Sequence, residues 1–363
     1  MDPKLYRAAT SGDVGFLEQV ANASNRTQLL LSTAPQQNTA LHIAARFGHA
    51  HFTKRISQLC SSQLLRMKNS NHDTALHCAA RAGCVEIVEI LVDEVEGESS
   101  SSSSSVGLLR MQNKAGNTPL HEALINRQED IAIRMVRADP KLAFVVNNAN
   151  ESSFLLSVKE EMEEFVKEML SMDAISPSSS DDICIPITAH PQLTTEEMRE
   201  LIKIQDSNGI TALHYAAMRN NAKIICMILK IDSRHVPYMV DNNGHSPLHA
   251  AVAFGMQRSM LELLKHCPDT IEQFDTNGRN VLHIALLNRR FGIIRRLLEL
   301  PYIGGLLNGP EPDKEENTPI YLTSKEDGRG EATAMRKENG QIAFEQDSVY
   351  RYHLCLHVHI KHH

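Results

Sequence analysis

A short block built around a Leu-His pair recurs six times along the chain and constrains the fold more than any other feature. The copies begin at six capping positions: Thr39, Thr74, Thr118, Thr211, Ser246 and Asn280. Successive copies are 35, 44, 93, 35 and 34 residues apart, so the short interval is the basic period. A period of this length indicates a stack of small units, none of which can bury its own apolar face.

Two insertions and one degenerate copy account for the longer intervals. A Ser-rich insertion at 96–106 lengthens the 44-residue interval, and a degenerate copy at 147–172 divides the 93-residue interval. A Ser- and Pro-rich insertion at 173–195 supplies most of the remaining excess. The sequence therefore predicts N-terminal repeats over 1–172 and C-terminal repeats over 196–325 in one continuous stack. A divergent, disordered His-rich tail is expected over 326–363.

Each block has the pattern of a turn, a helix, a second turn and a second helix. The Asp-Ser-Asn-Gly sequence at 206–209 is typical of a tight turn, and Thr211 two residues later is a preferred helix cap. Pro119 and Pro247 stand at the first helical position, where a missing N–H costs nothing. A glycine nine residues after the cap, such as Gly48, ends the first helix.

Several copies lack one of these glycines. The turn glycine is replaced in four of them: Gln37, His72, Asn150 and Glu316. The glycine after the first helix is replaced in three: Arg127, Asn220 and Arg289. If these positions keep a left-handed backbone, each costs roughly 1 kcal/mol, and the copies that contain them are the weaker members of the stack.

The repeated pattern T-P-L-H-x-A-A-x-x-G, followed by an apolar helix, resembles the ankyrin repeat over most of residues 1–325. The resemblance implies an all-α solenoid of eight to nine helix–turn–helix units. The opening residues 5–13 are similar to an N-terminal capping repeat. A ninth copy begins near Asn317 and loses the pattern after Leu322.

Two stretches carry a narrower resemblance: Ala-Asp-Pro-Lys-Leu-Ala at 138–143 and the block at 206–217. Both are similar to plant ankyrin proteins of the accelerated-cell-death class. That resemblance implies a non-catalytic interaction scaffold in plant defence and cell-death signalling. Members of the class continue into a membrane-spanning domain, which the residues after Leu322 do not match. The alternative is that the chain is a cytosolic portion or truncated form of a membrane signalling or channel-like ankyrin protein.

Charge and composition narrow the classes of partner. The chain has 37 Lys and Arg against 44 Asp and Glu, a net charge of −7, which argues against binding to nucleic acid. It has no uncharged apolar run long enough to span a membrane, and its seven cysteines are scattered as in a reduced, intracellular protein. We therefore expect a cytoplasmic chain with protein partners. It would reach the inner face of the plasma membrane only through a partner such as a membrane-bound ankyrin relative.

The sequence contains no enzyme signature, and no cofactor is expected. The histidines of the six blocks are predicted to be structural, half-buried rings that bond backbone groups of adjacent turns. In the tail, an extended strand would place His353, Cys355, His357 and His359 on one face, a composition that could bind zinc, copper or nickel. An unselected or alternatively spliced end is the preferred interpretation, so no metal site is assigned.

The family resemblance also implies which residues contact a partner: those on turn tips and those shortly before the glycine that ends the first helix. On the helices they are Arg46, Arg81, Met218 and Ala253. On the turns they are Ile210, His245 and Arg279. Their mixed character predicts a modest, partly polar interface. Charge reversal at Arg46 together with Arg81 is expected to weaken binding without lowering the melting temperature.

The repeat spacing generates a first testable prediction. Circular dichroism should be dominated by helix, and limited proteolysis should cut first between Glu96 and Val106 and between Asp173 and Thr195, because these segments lie outside the repeats. Mass spectrometry of the early fragments checks the sites. Protection of both insertions would contradict a stack with looped-out inserts.

Overall fold

The computed structural model describes residues 1–59, 62–97, 107–171, 193–300, 314, 333–338 and 341–346. These residues belong to two compact units, Met1–Ser207 and Asn208–His363. The Ser-run at 99–105, most of the insertion at 173–195 and the four tail residues considered as metal ligands lie outside the described residues. Within the described residues the repeats are helical, as predicted.

In the described part of the first unit, five helix pairs follow one another along the chain. Their first helices are α1 (Pro3–Ser11), α4 (Ala40–Phe47), α7 (Ala75–Ala82), α9 (Pro119–Ile125) and α11 (Ser153–Lys159). Their second helices are α2 (Val14–Ala21), α5 (Ala50–Leu59), α8 (Val85–Gly97), α10 (Glu129–Ala138) and α12 (Glu163–Ser171). Shorter elements are α3 (Arg26–Leu30), α6 (Ser62–Arg66), a 3-10 turn (Pro140–Phe144) and α13 (Thr195–Ile202).

The described part of the second unit holds three further helix pairs. Their first helices are α14 (Ala212–Met218), α16 (Pro247–Phe254) and α18 (Val281–Leu287). Their second helices are α15 (Ala222–Ile231), α17 (Gln257–His266) and α19 (Phe291–Leu298). Two 3-10 turns span Val236–Tyr238 and Pro268–Glu272. The described residues thus contain eight helix pairs in all, in agreement with the predicted eight to nine repeats.

Two strands near the C-terminus were not expected from the sequence. Strands β1 (Thr333–Glu338) and β2 (Gln341–Gln346) pair antiparallel, with Glu338 opposite Gln341. This register leaves only Asn339 and Gly340 between them, and Asn-Gly is the preferred pair for a two-residue hairpin loop. The expectation of a disordered tail over 326–363 is therefore wrong for these strands, and the Asn-Gly pair was the local signal that could have predicted them.

Within each unit, first helices pack on first helices of the next repeat and second helices on second helices. Helix α4 packs on α7 and α5 on α8, and α14 packs on α16 as α15 does on α17. The facing positions of the first helices carry alanines without solvent exposure: Ala44, Ala45, Ala79, Ala80, Ala216 and Ala217. Small side chains let the helix axes approach closely, so larger apolar residues of the second helices complete the core.

The histidine of each repeat block is fully buried and bonds to the start of its own helix, and the histidines of the first five blocks also bond to the next turn. In α7 the Nδ1 atom of His77 lies 2.8 Å from the Thr74 hydroxyl and 3.1 Å from the Thr74 backbone nitrogen. Its Nε2 atom lies 3.0 Å from the carbonyl oxygen of Asn117, 40 residues further along. Because a carbonyl oxygen only accepts, Nε2 carries the proton and Nδ1 is the acceptor.

The same arrangement recurs in other repeats of both units. The Nε2 atoms of His42 and His121 reach the carbonyl oxygens of Asp73 and Glu151 at 2.9 and 3.1 Å. In the second unit, His249 reaches the carbonyl oxygen of Arg279 at 3.3 Å. The predicted structural role is confirmed, although these rings are buried rather than half-buried, with at most 1% of their surface exposed.

Successive turns are also joined directly by a ladder of backbone hydrogen bonds. The N–H of Lys114 donates to the carbonyl of Asn71 at 2.9 Å, and that of Thr276 donates to Asn243 at 3.1 Å. The N–H of Lys314 donates to Asn277 at 2.8 Å in the same way. Lys314 therefore continues the ladder past the eighth helix pair, at the point where the sequence predicts the start of a ninth copy.

The described residues that replace the repeat glycines adopt a left-handed backbone, as predicted. Gln37, His72 and Asn150 have φ values of 60°, 60° and 59°, and the three residues that replace the later glycine lie between 53° and 57°. Gly48 ends α4 with φ 81°. Glu316, the fourth predicted replacement at the turn, lies outside the described residues. The repeat geometry is therefore kept even where the side chain makes it costly.

Burial of the repeat histidines predicts a loss of stability in mild acid. Burial lowers the pKa of His77 and of His249 to about 4, against 6.5 in an exposed imidazole. The unfolded chain therefore binds more protons than the folded chain between these values. The contribution of the two neutral histidines to the free energy of unfolding is fully present above pH 6.5. It is lost as the pH falls towards 4, by roughly 3 kcal/mol for each histidine.

Denaturant unfolding between about pH 7 and pH 5 measures this loss above the range in which carboxylates titrate. His249→Gln should reduce the pH dependence. His51→Gln, an exposed position on α5, is the control and should leave it unchanged. A free energy of unfolding that is constant over this range would contradict the prediction.

Candidate protein-binding surface

A groove of about 800 Å³ lies in the first unit, between the turns and the first helices of its first three repeats. The turns contribute Pro35, Gln36 and Asn71 to its lining, and α4 and α7 contribute Arg46 and Arg81. Turn tips and first-helix ends are the two regions from which the family resemblance implies binding. The groove therefore brings two of the seven predicted residues together.

Arg46 presents an uncompensated positive charge to this groove. Its side chain is exposed at the end of α4, and within the described part of the chain no carboxylate lies within ion-pair distance of it. Arg81 and Asp73 are the other charged residues of the lining, and Arg81 is already paired with Asp73 and with the buried Glu122. Burial lowers the pKa of His42, which also lines the groove, so its ring stays neutral.

Aromatic side chains lie beside this charge. Phe47 follows Arg46 in α4 and is 55% exposed, and its ring stacks on that of His49 with centroids 6.4 Å apart. Tyr6 of α1 lines the same groove and is 46% exposed. Neither residue was predicted from the sequence. Phe47 could have been found from its place directly before Gly48, next to a predicted contact residue.

Arg81 has a structural role that was not predicted from the sequence. Its guanidinium contacts both oxygens of Asp73 at 3.2 Å and donates from Nε to Glu122 at 2.9 Å. Asn113 donates to the same two carboxylates at 2.9 Å. Asp73 and Glu122 belong to consecutive repeats and are buried. Arg81 therefore joins two repeats through ion pairs instead of offering a free charge to a partner.

The titration of the two carboxyls reflects this cluster. Burial alone would raise the pKa of Asp73, but hydrogen bonds from Arg81 and Asn113 outweigh it and hold the pKa below its usual range. Burial would likewise raise the pKa of Glu122, but hydrogen bonds from Arg81 and Asn117 outweigh it and hold that pKa below its usual range. Both groups are thus charged at neutral pH. We therefore expect charge reversal at Arg46 together with Arg81 to lower the melting temperature, which revises the expectation drawn from the sequence.

The other five predicted residues belong to the second unit and are half-buried. Met218 and Ala253 stand at the ends of α14 and α16, and Ile210, His245 and Arg279 belong to turns. The His245 ring lies between two carboxylates, 3.6 Å from Asp241 and 3.5 Å from Asp275. The second unit also has exposed apolar residues, of which Phe254 directly follows Ala253 in the sequence: Val240, Phe254, Phe274 and Leu287. They were not predicted.

A cluster on the second helices of this unit was also missed. The structure brings together Cys226 of α15 and Glu262 and His266 of α17, with one ligand atom from each within 4.8 Å of the others. Glu262 and His266 are four residues apart and so share a helix face. Cys226 precedes them by about one repeat period. That spacing was the available signal.

The Arg81 cluster generates a stability prediction. Arg81→Ala removes the cation from two buried carboxylates, and we expect it to lower the free energy of unfolding by about 1–3 kcal/mol, a range reduced by the partial exposure of the arginine. Arg46→Ala is the matched control at the same repeat position and should change stability by less than about 0.5 kcal/mol. Equal effects of the two substitutions in denaturant unfolding would contradict this assignment.

Comparison with known proteins gives several relatives. Over 275 residues the chain is 28% identical to Protein ACCELERATED CELL DEATH 6 of Arabidopsis thaliana, covering 69% of this chain and 40% of that protein. It is 29% identical to human Rabankyrin-5 over 33% of this chain and 10% of the relative. Human transient receptor potential cation channel subfamily A member 1 is 28% identical over 29% of this chain and 9% of the channel. The chain thus spans less than half the length of each of these relatives.

Among the described residues, no helix combines the length and the apolar character that crossing a bilayer requires. The model of the family "Ankyrin repeats (3 copies)" matches residues 5–102, 65–144, 154–270 and 231–305, which together cover most of the chain. Together with the eight described helix pairs and the buried histidine of the repeat block, this match shows that the chain belongs to the ankyrin-repeat family.

Proposed function

We propose that the groove of the first unit binds an extended segment of a partner protein that carries a carboxylate next to an apolar side chain. Ankyrin repeats are protein-interaction modules, so a protein partner follows from the family. The proposal rests on one observation: Arg46, an exposed cation without a described carboxylate, lies beside Phe47, which is more than half exposed. A carboxylate of the partner supplies the missing charge, and an apolar side chain covers the ring.

The electrostatics favour this chemistry over others. The chain carries a net charge of −7, whereas Asp73 and Glu122 are both paired with Arg81, so that Arg46 is left without an ion-pair partner among the described residues of the groove. A local charge opposite to that of the whole chain attracts an acidic segment and repels a basic one. Exposed aromatic rings next to it suit an apolar contact, since burial of apolar area supplies most of the free energy of association.

The groove also supports the expected kind of interface. Asn71 at the turn and Arg46 on α4 offer polar contacts, while Ile43 and Phe47 offer apolar ones. An extended peptide of a few residues fills a space of this volume. The interface is then small and partly polar, in line with the expectation from the sequence.

The cellular role that we propose is scaffolding in plant defence and cell-death signalling. The 28% identity to the Arabidopsis protein over 69% of this chain supports it. By the same resemblance, a membrane-bound ankyrin relative is the proposed partner, and the chain works in the cytoplasm or at the inner face of the plasma membrane through that partner. Co-precipitation with the relative from detergent extracts, compared between the native chain and Arg46→Glu, tests this role.

A second candidate function is that of an ankyrin portion or truncated form of a membrane signalling or channel-like protein. It is favoured by the length relation, since the matched region amounts to 40% of the Arabidopsis relative. Sequencing of transcripts downstream of the codon for Leu322 distinguishes the candidates. Hydrophobic spans in the same reading frame support the second, and their absence from every transcript supports the first.

The groove gives a binding prediction. Peptides selected from a displayed library on the full chain should be enriched in Asp or Glu next to an apolar residue. Arg46→Glu should weaken their binding by about 10–100-fold, because it replaces a charge-assisted hydrogen bond with repulsion. The melting temperature should stay unchanged. Isothermal titration with a selected peptide and with its Asn or Gln counterpart measures the affinity, and thermal unfolding measures the melting temperature.

Lys54→Glu is the matched control. Lys54 is exposed on α5 of the same repeat, outside the groove lining. Its replacement by Glu changes the net charge by the same amount as Arg46→Glu does. It should leave peptide affinity within about twofold of the native value. Equal weakening by both substitutions would show a general charge effect, and unchanged binding in Arg46→Glu would place the site elsewhere.

A further inference from the structure

The cluster of Cys226, Glu262 and His266 lies on the second helices of the second unit. Buried residues of the two helices, such as Ile225 and Leu263, form the interface between α15 and α17. Cys226 and Glu262 are half-buried and His266 is exposed. The three side chains thus lie at the margin of this interface, where a small ion can enter from solvent.

The distances within the cluster are those of ligands around one small ion. The Cys226 sulfur lies 3.0 Å from Glu262 Oε1 and 3.7 Å from His266 Nε2, and these last two atoms are 3.1 Å apart. Ligands that lie 2.0–2.3 Å from zinc at tetrahedral angles are separated by about 3.3–3.6 Å. The three atoms therefore need to move by only about half an ångström to share one ion.

We propose that Cys226, Glu262 and His266 bind one zinc ion that links the second helices of two consecutive repeats. A thiolate, an imidazole and a carboxylate form a ligand set that zinc takes, and three protein ligands leave the fourth tetrahedral position to water. The site belongs to the second unit, and it does not depend on the groove proposed for peptide binding in the first.

Zinc entry requires a defined rearrangement of protons. Without the ion, the Cys226 thiol and the His266 Nε2–H both donate to Glu262 Oε1. On binding, the thiol releases its proton to solvent, and the imidazole keeps one proton, on Nδ1, while Nε2 takes the ion. The thiolate and the carboxylate together then balance the two charges of zinc.

Lys265 is the competing group at this site. Its ammonium lies 3.1 Å from Glu262 Oε1, on the same oxygen that faces the cysteine and the histidine. The Lys265 side chain is 67% exposed, so it can turn into solvent when the ion takes its place. Lys265→Gln removes this competition and should tighten metal binding by several-fold.

Cobalt titration of the full chain tests the site, since tetrahedral Co²⁺ bound to a thiolate gives charge-transfer and ligand-field absorption that zinc then removes. All variants carry Cys355→Ser, so that the tail cannot supply the thiolate. We expect one equivalent of Co²⁺ with a thiolate band in this background. The band should be lost in Cys226→Ser and retained in Cys84→Ser, a half-buried cysteine of the first unit.

Two further variants test the site independently if Cys226→Ser is poorly folded. Glu262→Gln and His266→Gln should each weaken Co²⁺ binding by more than the about 10–100-fold that an outer-shell partner contributes, with an unchanged circular dichroism spectrum. Zinc should also raise the melting temperature of the Cys355→Ser chain and not that of Cys226→Ser. A thiolate band that persists in Cys226→Ser, or no band in the Cys355→Ser background, would overturn the proposal.

Discussion

The buried histidine of the repeat block is the interaction on which the rest of the structure depends. In one side chain it accepts at Nδ1 from the cap of its own helix and donates from Nε2 to a carbonyl about one repeat further along, as His77 does with Thr74 and Asn117. The helix start and the next turn are thereby fixed to each other. Each repeat takes its position from its neighbour, and the turns and first-helix ends that form the groove inherit their spacing from this bond.

This arrangement holds only while the imidazole is neutral. A proton on Nδ1 would face the N–H of Thr74 and remove the acceptor, and the buried site disfavours the charged ring in any case. The stability of the repeats therefore depends on pH through buried side chains. In contrast, the ion pairs of Arg81 link repeats through charge and persist in mild acid, because the pKa values of Asp73 and Glu122 are held low.

The two proposed sites use different parts of the repeat. The groove uses turn tips and the ends of first helices, which leave Arg46 and Phe47 in solvent. The zinc site uses the second helices, whose margin brings Cys226 to Glu262 and His266. The two proposed sites therefore share no residue.

The sequence determined the repeat architecture through local rules. Its period, caps and glycines predicted the first helices, and even the left-handed conformation of Gln37 and Arg127 followed from their place in the repeat. The same repetition suggested a contact role for Arg46 and Arg81 alike, since both occupy one position of the block. Only the tertiary structure separated them, because a carboxylate partner such as Glu122 comes from another repeat. The meeting of Cys226 with His266 was decided in the same way, by the packing of α15 on α17. A local pattern fixes what each unit becomes, whereas pairing between units depends on side chains some 30–45 residues apart, whose distance no local rule contains.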